Sequence, residues 1–137
     1  MKKRKTQNKQ SISITAYKYQ EAVQILEERI ADIPDVQGWA SEVGLSRRWL
    51  CKSMKSVYGK APKIILREMK YEKVVTLIIE DWINANCYSV AVDAGFGNAK
   101  SVSRFLSSFF NTNFTELKMD LLKGDVQIDF QWYNESK

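Results

Sequence analysis

Residues 62–81 read PKIILREMKYEKVVTLIIED, and they stand between two copies of one short pattern. The pattern A-x-x-x-G followed by a large apolar residue occurs at residues 40–45 and again, 51 positions later, at residues 91–96. After one inserted residue the agreement continues in the pairs Leu50 and Val102, Lys52 and Arg104, Met54 and Leu106, and Val57 and Phe109. An internal repeat indicates one structural unit used twice. We therefore expect two similar units joined by the stretch between them.

The joining stretch, 62–81, is predicted to be a single long helix. Pro62 suits the first helical turn, where a missing N–H removes no hydrogen bond, and no further Pro or Gly follows before residue 81. Its apolar side chains lie on more than one face, which suits a helix packed against one body near its start and another near its end. Lys63, Arg67 and Lys70 share one side, either as a solvated stripe or as a contact for an anionic partner.

Composition limits the class of protein. The 137 residues are 45% hydrophobic and 12% aromatic, which is typical of a globular chain. No apolar run approaches the roughly 20 residues of a membrane span and no signal sequence follows the basic start, so we expect a cytoplasmic protein with no membrane partner. Cys51 and Cys87 fit no metal spacing and are expected to be reduced and structural. Histidine is absent, which argues against an enzyme, so we predict no catalytic residue, no metal and no cofactor.

The distribution of charge is more informative than the net charge of +5. Residues 1–10 alone carry +5 and are expected to form a disordered basic arm, while the rest of the chain holds 16 basic and 16 acidic residues. Residues 47–63 contain six bases and no acid, whereas residues 11–45 contain two bases and six acids. Such local clustering, rather than total charge, favours a nucleic-acid partner.

The first unit is predicted to contain three helices. The first spans about residues 19–33, with Pro34 ending it, since the residue before a proline is displaced from the α region. Asp35 is placed to cap a second helix that ends at Gly44. Ser46 is placed to cap a third, over residues 47–58. At 100° per residue this third helix has an inner face of Leu50, Ser53, Met54 and Val57 and an outer face of Arg48, Lys52 and Lys55.

The second unit repeats this plan with fewer charges. Asn86 is placed to cap a helix that ends at Gly95, and Asn98 to cap one that runs to about Phe110. The predicted inner face of the latter is Val102, Phe105, Leu106 and Phe109, and its predicted outer face is Lys100, Arg104 and Ser107. Two bases on the outer face therefore stand where the first unit has three.

The two segments ASEVGLSRRWLCKSMKSVYGKAP and VAVDAGFGNAKSVSRFLSSFF together resemble the DNA-binding domain of the AraC/XylS transcription regulators, over about residues 19–118. In that family two helix-turn-helix units on a linker helix bind adjacent major-groove segments of DNA. By length the chain is similar to the short members that lack a separate ligand-binding domain. It departs from the family pattern at Phe114, where proline is usual, at Asn111, where glycine is usual, at Lys100, where a small residue is usual, and at Lys70, where arginine is usual.

The resemblance implies which side chains would enter the base groove: Arg48, Cys51 and Lys52 in the first unit, and Ala99, Lys100, Ser101 and Arg104 in the second. Arg and Lys can hydrogen-bond guanine or bind a phosphate, and a phosphate contact alone reads no sequence. The candidate phosphate contacts are Arg47, Lys55, Lys63 and Ser107. Trp49 lies beside them, and we expect it to pack against a neighbouring helix rather than stack on a base.

The predicted fold is therefore all-α, with two helix-turn-helix subdomains joined by a long linker helix. Its segments are residues 1–10 (arm), 11–61 (N-terminal helix and first unit), 62–81 (linker), 82–118 (second unit) and 119–137 (C-terminal extension). Alternating apolar residues also predict a strand over 125–132, which needs a partner for its backbone groups. Residues 11–17 are the candidate, in a small β-ribbon within one chain or between two.

The predicted function is sequence-specific binding of duplex DNA to regulate transcription, by a chain that binds as a monomer, or as a dimer through the chain ends. RNA polymerase is the protein partner that the resemblance implies, and activation and repression both stay open. The alternative is a protein-interaction module or anti-activator of the same fold whose second unit no longer docks on DNA. An enzyme such as a DNA-repair protein fused to this domain is a third reading, disfavoured by the absence of histidine.

Overall fold

The computed structural model of the chain describes residues 20–124, and every regular element in that range is helical. The elements are α1 (residues 20–28), a 3-10 turn (Ile30–Asp32), α2 (Val36–Val43), α3 (Arg47–Tyr58), α4 (Pro62–Glu80), α5 (Cys87–Asp93), α6 (Ala99–Phe110) and α7 (Phe114–Lys123). The all-α prediction is confirmed for these residues. The predicted arm at 1–10 and the β-ribbon of 11–17 with 125–132 lie outside the described residues.

The first helix ends earlier than its periodicity predicts. Helix α1 stops at residue 28, and the chain turns through the 3-10 segment before Ile33, which is extended at φ −107° and ψ 102°. Pro34 accounts for the extended residue, because it excludes the α region at the position before it. The earlier break lets Ile30 and Ile33 both reach the core. An ion pair of 2.7 Å between Arg29 and Glu42 joins the break to α2.

The predicted helix starts are confirmed by their capping hydrogen bonds. In four helices a side-chain oxygen accepts from the backbone N–H three residues further on, in the pairs Asp35 and Gly38, Ser46 and Trp49, Asn86 and Ser89, and Asn98 and Ser101. Asn113 caps α7 in the same way, through the N–H of Glu116. Since each cap satisfies an N–H that has no partner inside the helix, these short polar residues determine where the helices begin.

Helix α4 divides the core into two hydrophobic clusters, as its two apolar faces predict. The first cluster combines α1, the 3-10 turn, α2 and α3 with Ile65, Leu66 and Met69 from the first half of α4. The second combines α5, α6 and α7 with Tyr71, Val74, Val75 and Ile78 from the second half. The predicted end of the second unit at residue 118 falls inside α7, whose Leu121 still packs against the second cluster.

Trp39 is the largest fully buried side chain of the first cluster. Its indole N–H donates to the carbonyl of Ala22 at 2.8 Å, so one side chain ties α2 to α1. The repeat places Val90 at the equivalent position of the second cluster, where it is also buried. The same position of the repeat therefore holds a large buried side chain in the first cluster and a small one in the second.

One inner-face prediction was wrong in both copies of the repeat. Val57 is 40% exposed and Phe109 is 47% exposed, although the helical period places both among the buried residues. The next residue takes the inward position instead, since Tyr58 is buried in the first cluster and Phe110 packs against the second. The last turn of each helix therefore buries a different residue than the preceding turns predict.

Asn111 makes the backbone turn that ends α6. Asn111 ends α6 in the left-handed conformation, with φ 50° and ψ 45°, and its N–H bonds to the carbonyl of Leu106. Asparagine is one of the few residues that adopt this conformation readily. Phe114 then starts α7 and packs against the second cluster.

Stability at alkaline pH is expected to depend on Tyr71. Its ring stacks on Phe110 with centroids 4.1 Å apart, and burial, aided by the nearby Asp120 carboxylate, raises the pKa of its hydroxyl above the usual value of 10.0. The folded protein then holds this proton when the unfolded chain has lost it, so stability falls as pH rises from about 10 through the raised pKa. Urea unfolding at pH 8 and above pH 10 should show a smaller loss in Tyr71→Phe than in the parent; an equal loss would contradict the assignment.

Candidate nucleic-acid interface

The outer face of α3 presents a group of cationic side chains to solvent. Arg47, Arg48, Lys52 and Lys55 are all exposed, and on the opposite face Leu50 and Met54 are fully buried in the first cluster. Within residues 20–124 none of these four cations has an acidic partner. Within the described part of the chain, these charges are therefore unpaired by acids and lie on the solvent side of a packed helix.

The turn that leads into α3 fixes the direction of this face. The N–H groups of Gly44 and Leu45 both donate to the carbonyl of Ala40, at 2.9 and 3.0 Å, and close the end of α2. Ser46 then starts α3 one residue later with its cap to Trp49. The bond from Leu45 to Ala40 has an equivalent in the second copy, where the N–H of Phe96 donates to the carbonyl of Ala91 at 2.8 Å. The sequence repeat is thus also a repeat of backbone hydrogen bonds.

The outer face of α6 is exposed in the same way but carries fewer charges. Lys100, Arg104 and Ser107 are exposed, and Ala99 and Ser101 are half-buried in the first turn. The backbone N–H of Ser101 is already bonded to Asn98, and the carbonyl of Ala99 accepts from the Cys87 thiol at 3.5 Å. The face therefore offers two cations and a hydroxyl, on a helix start whose backbone groups are partly occupied.

Sequence reasoning missed two further hydroxyls on α6. Ser103 and Ser108 are exposed on that helix, and the repeat pairs them with Cys51 and Ser56 of α3 at an offset of 52 residues. That offset was the signal that could have identified them. Cys51 itself is half-buried, and both cysteines are free thiols as predicted.

Trp49, beside the α3 cations, is partly exposed and partly packed. Its indole is 37% exposed, so more than a third of its surface stays in solvent although we expected it to pack against a neighbouring helix. Its backbone is fully used, because its N–H donates to Ser46 and its carbonyl accepts from the Ser53 hydroxyl at 2.7 Å. The ring therefore forms an apolar edge to the cationic face.

Two of the three basic residues predicted to share one side of α4 contact other parts of the protein. The stripe is therefore neither fully solvated nor fully open to an anionic partner, the two alternatives expected for it. The guanidinium of Arg67 lies over the ring of Phe109 at 3.8 Å from its centroid. The ammonium of Lys70 donates to the carbonyl of Pro34 at 3.4 Å and lies 5.2 Å from the centroid of Phe96. Of the three residues only Lys63 is exposed, so it alone stays a candidate phosphate contact.

Burial lowers the pKa of Lys70 from 10.5, and the Asp35 carboxylate partly opposes the change. Lys60, which flanks the α3 cations in sequence, is likewise engaged, in an ion pair of 2.8 Å with Glu68. The cations that remain for an external partner are therefore concentrated on α3 and are sparse on α4. Sequence alone does not separate the two groups, because Phe96, Phe109 and Glu68 become their neighbours only on folding.

Within residues 20–124, no helix is both long and apolar enough to cross a membrane. Comparison of the chain with protein-family models, with curated proteins and with solved structures finds no match in any of the three.

Proposed function

We propose that this protein regulates transcription by binding duplex DNA sequence-specifically through two helix-turn-helix units, α2–α3 and α5–α6, on the linker helix α4. The observation that carries the proposal is the outer face of α3, where four cations without a described acidic partner lie opposite the buried side chains of Leu50 and Met54. An α-helix fits the major groove, and arginine and lysine hydrogen-bond the O6 and N7 atoms of guanine there. Helix α3 would therefore enter the groove with Arg48 and Lys52 toward the bases.

The remaining candidate contacts extend this interface. Arg47, Lys55 and Lys63 would bind phosphates, which fixes the register of the protein on the duplex without reading its sequence. Cys51 could contribute only a van der Waals contact to a thymine methyl group. In the second unit, Lys100 and Arg104 would carry the charged contacts, with Ala99, Ser101 and Ser107 around them.

Two recognition helices with different side chains, α3 and α6, on one chain imply an asymmetric DNA site. If α3 and α6 enter successive turns of the major groove on one face of the duplex, their separation would be about 34 Å, by analogy with helix-turn-helix dimers. A monomer with such a pair has no reason to prefer a palindrome. RNA polymerase would be the protein partner of a regulator of this kind.

Selection from a random duplex pool tests the proposal directly. The full chain, immobilised at moderate salt, should enrich one asymmetric motif about two adjacent major-groove segments in length. An inverted repeat bound by two chains would contradict the monomeric arrangement. Absence of any enriched motif at moderate and at low salt would contradict DNA reading altogether.

The second candidate function is a protein-interaction module of the same fold, and the surface of α5 favours it. Tyr88 is 67% exposed and Val92 is 50% exposed, and the two lie one helical turn apart on the unit that has fewer cations. Exposed apolar residues at helical spacing are a common basis for a protein contact. Under this alternative the pool selection yields no motif, and binding to a protein partner is lost in Tyr88→Ser.

A further inference from the structure

The turn between α5 and α6 touches the first half of the molecule directly. Gly95, in that turn, has φ +82°, and a Cβ placed on it would lie 2.7 Å from the carbonyl carbon and 2.8 Å from the Cα of Ala31. Ala31 belongs to the 3-10 turn of the first cluster, and the obstructing atoms are backbone, which cannot rotate away as a side chain can. Any side chain at position 95 must therefore push the two halves apart.

The equivalent glycine of the first unit makes no such contact. Gly44 has nearly the same backbone conformation, with φ +81°, but a Cβ placed on it meets nothing within 4 Å. Both positions favour glycine for their positive φ. Only position 95 also requires glycine for lack of space. Substitutions at Gly44 and Gly95 therefore separate the effect of backbone strain from the effect of contact between the two halves.

Lys70 reinforces the same junction from α4. Its ammonium bonds to the carbonyl of Pro34, close to Ala31 in the chain, and lies over the ring of Phe96, the neighbour of Gly95. One side chain thus contacts the turns of both halves at the point where they meet. Lys70 is half-buried at this position, and burial lowers the pKa of its ammonium. On the same helix, Arg67 stacks on Phe109 and fixes α6 against α4.

We propose that this junction, Gly95 against Ala31 with Lys70 between Pro34 and Phe96, sets the orientation of α6 relative to α3. Under the proposed function, on which this inference rests, Gly95 and Lys70 are positioning residues that determine which spacing between two DNA segments the protein accepts. Inserting one base pair rotates the far segment by about 35° and moves it by about 3.4 Å. A fixed pair of helices cannot follow that change, whereas a loosened pair can.

The first test measures orientation without DNA. In a Cys51→Ser, Cys87→Ser background, spin labels at Ser56→Cys and Ser108→Cys, both exposed, report the distance between α3 and α6. The distance distribution should be narrow in this parent and clearly broader in Gly95→Ala and in Lys70→Met, which keeps the apolar stem of the side chain but removes the ammonium. It should stay narrow in Gly44→Ala. An unchanged distribution in Lys70→Met overturns the proposal even if Gly95→Ala fails to fold.

The second test measures spacing selectivity on the site found by selection. We expect the parent to bind a site with one inserted base pair about tenfold or more weakly, the cost of losing at least one good base contact. The ratio of the two affinities, for the selected site and for the site with the insertion, should fall to about twofold to threefold in Lys70→Met. It should remain at the parent value in Gly44→Ala. A parent ratio retained in Lys70→Met overturns the role in spacing.

The two tests distinguish failure of the inference from failure of the proposed function. If no DNA motif is enriched, the proposed function and the spacing role both fall. The distance measurement then still decides whether the junction sets the orientation of α6. A broadened distribution supports that part of the inference, and an unchanged one removes it.

Discussion

Replacing Trp39 by alanine is expected to lower the free energy of unfolding by about 3–5 kcal/mol, which is a large part of the total for a domain of this size. The side chain is fully buried in the first cluster, so its removal leaves a cavity that the short helix α2 cannot close. The substitution also removes the indole N–H that bonds to the carbonyl of Ala22. Urea unfolding followed by circular dichroism at 222 nm measures the change without relying on the tryptophan signal.

Two matched variants separate the causes of this loss. Trp39→Phe keeps most of the apolar volume but lacks the donor, and we expect a cost of about 1–2 kcal/mol, typical of an unpaired buried group with a small cavity. Val90→Ala changes the equivalent position of the second cluster and should cost roughly 2 kcal/mol, because fewer methyl groups are removed. If Trp39→Ala costs no more than Val90→Ala, the first cluster does not depend on the indole.

Lys52→Ala is expected to weaken DNA binding more than Arg104→Ala. Lys52 lies among four exposed cations on α3, whereas Arg104 shares the outer face of α6 with one lysine and several serines. If Lys52 reads a base, its loss should cost about 1–3 kcal/mol of binding free energy. If it binds only a phosphate, its loss should weaken binding to all sequences and flatten the dependence of log affinity on log salt by about one unit.

The comparison requires the parent, both variants and a charge control on one selected site at two salt concentrations. Lys123→Ala is the control, because it removes one exposed positive charge from the last turn of α7, which is neither of the two candidate reading helices. It should leave affinity and the salt dependence close to those of the parent. If Arg104→Ala is the more damaging change at both salt concentrations, the second unit is the principal reader and charge density is a misleading guide.

The measured asymmetry would also bear on the alternative function. A second unit that contributes nothing to affinity would leave α5 and α6 free for a protein contact through Tyr88 and Val92, which are both exposed. A second unit that contributes one or more base contacts would favour two-segment reading. On a selected site, a clear loss of affinity in Arg104→Ala therefore supports reading by both units, and no loss supports DNA binding by the first unit alone.

The sequence by itself determined six of the seven α-helices of residues 20–124 and most of their boundaries, whereas α7 was not predicted. A cap such as Asp35 or Asn98 and a stop such as Gly44 act on backbone groups within about four residues, so their effect is present in the local sequence. The buried and exposed faces of α3 and α6 followed from the helical period except at Val57 and Phe109, which are exposed. The cationic outer face of α3 was predictable for the same reason, and its binding to DNA stays a prediction.

Only the tertiary structure decided which basic residues are left for a partner and how the two halves meet. Lys70 contacts a carbonyl 36 residues away, and Arg67 meets Phe109 from a different helix, so no local pattern marks either side chain as engaged. The early end of α1 and the outward positions of Val57 and Phe109 have the same origin. Helix periodicity gives the angle of a side chain around its own axis, but its burial depends on where another element lies, and that is fixed only when the chain packs around α4.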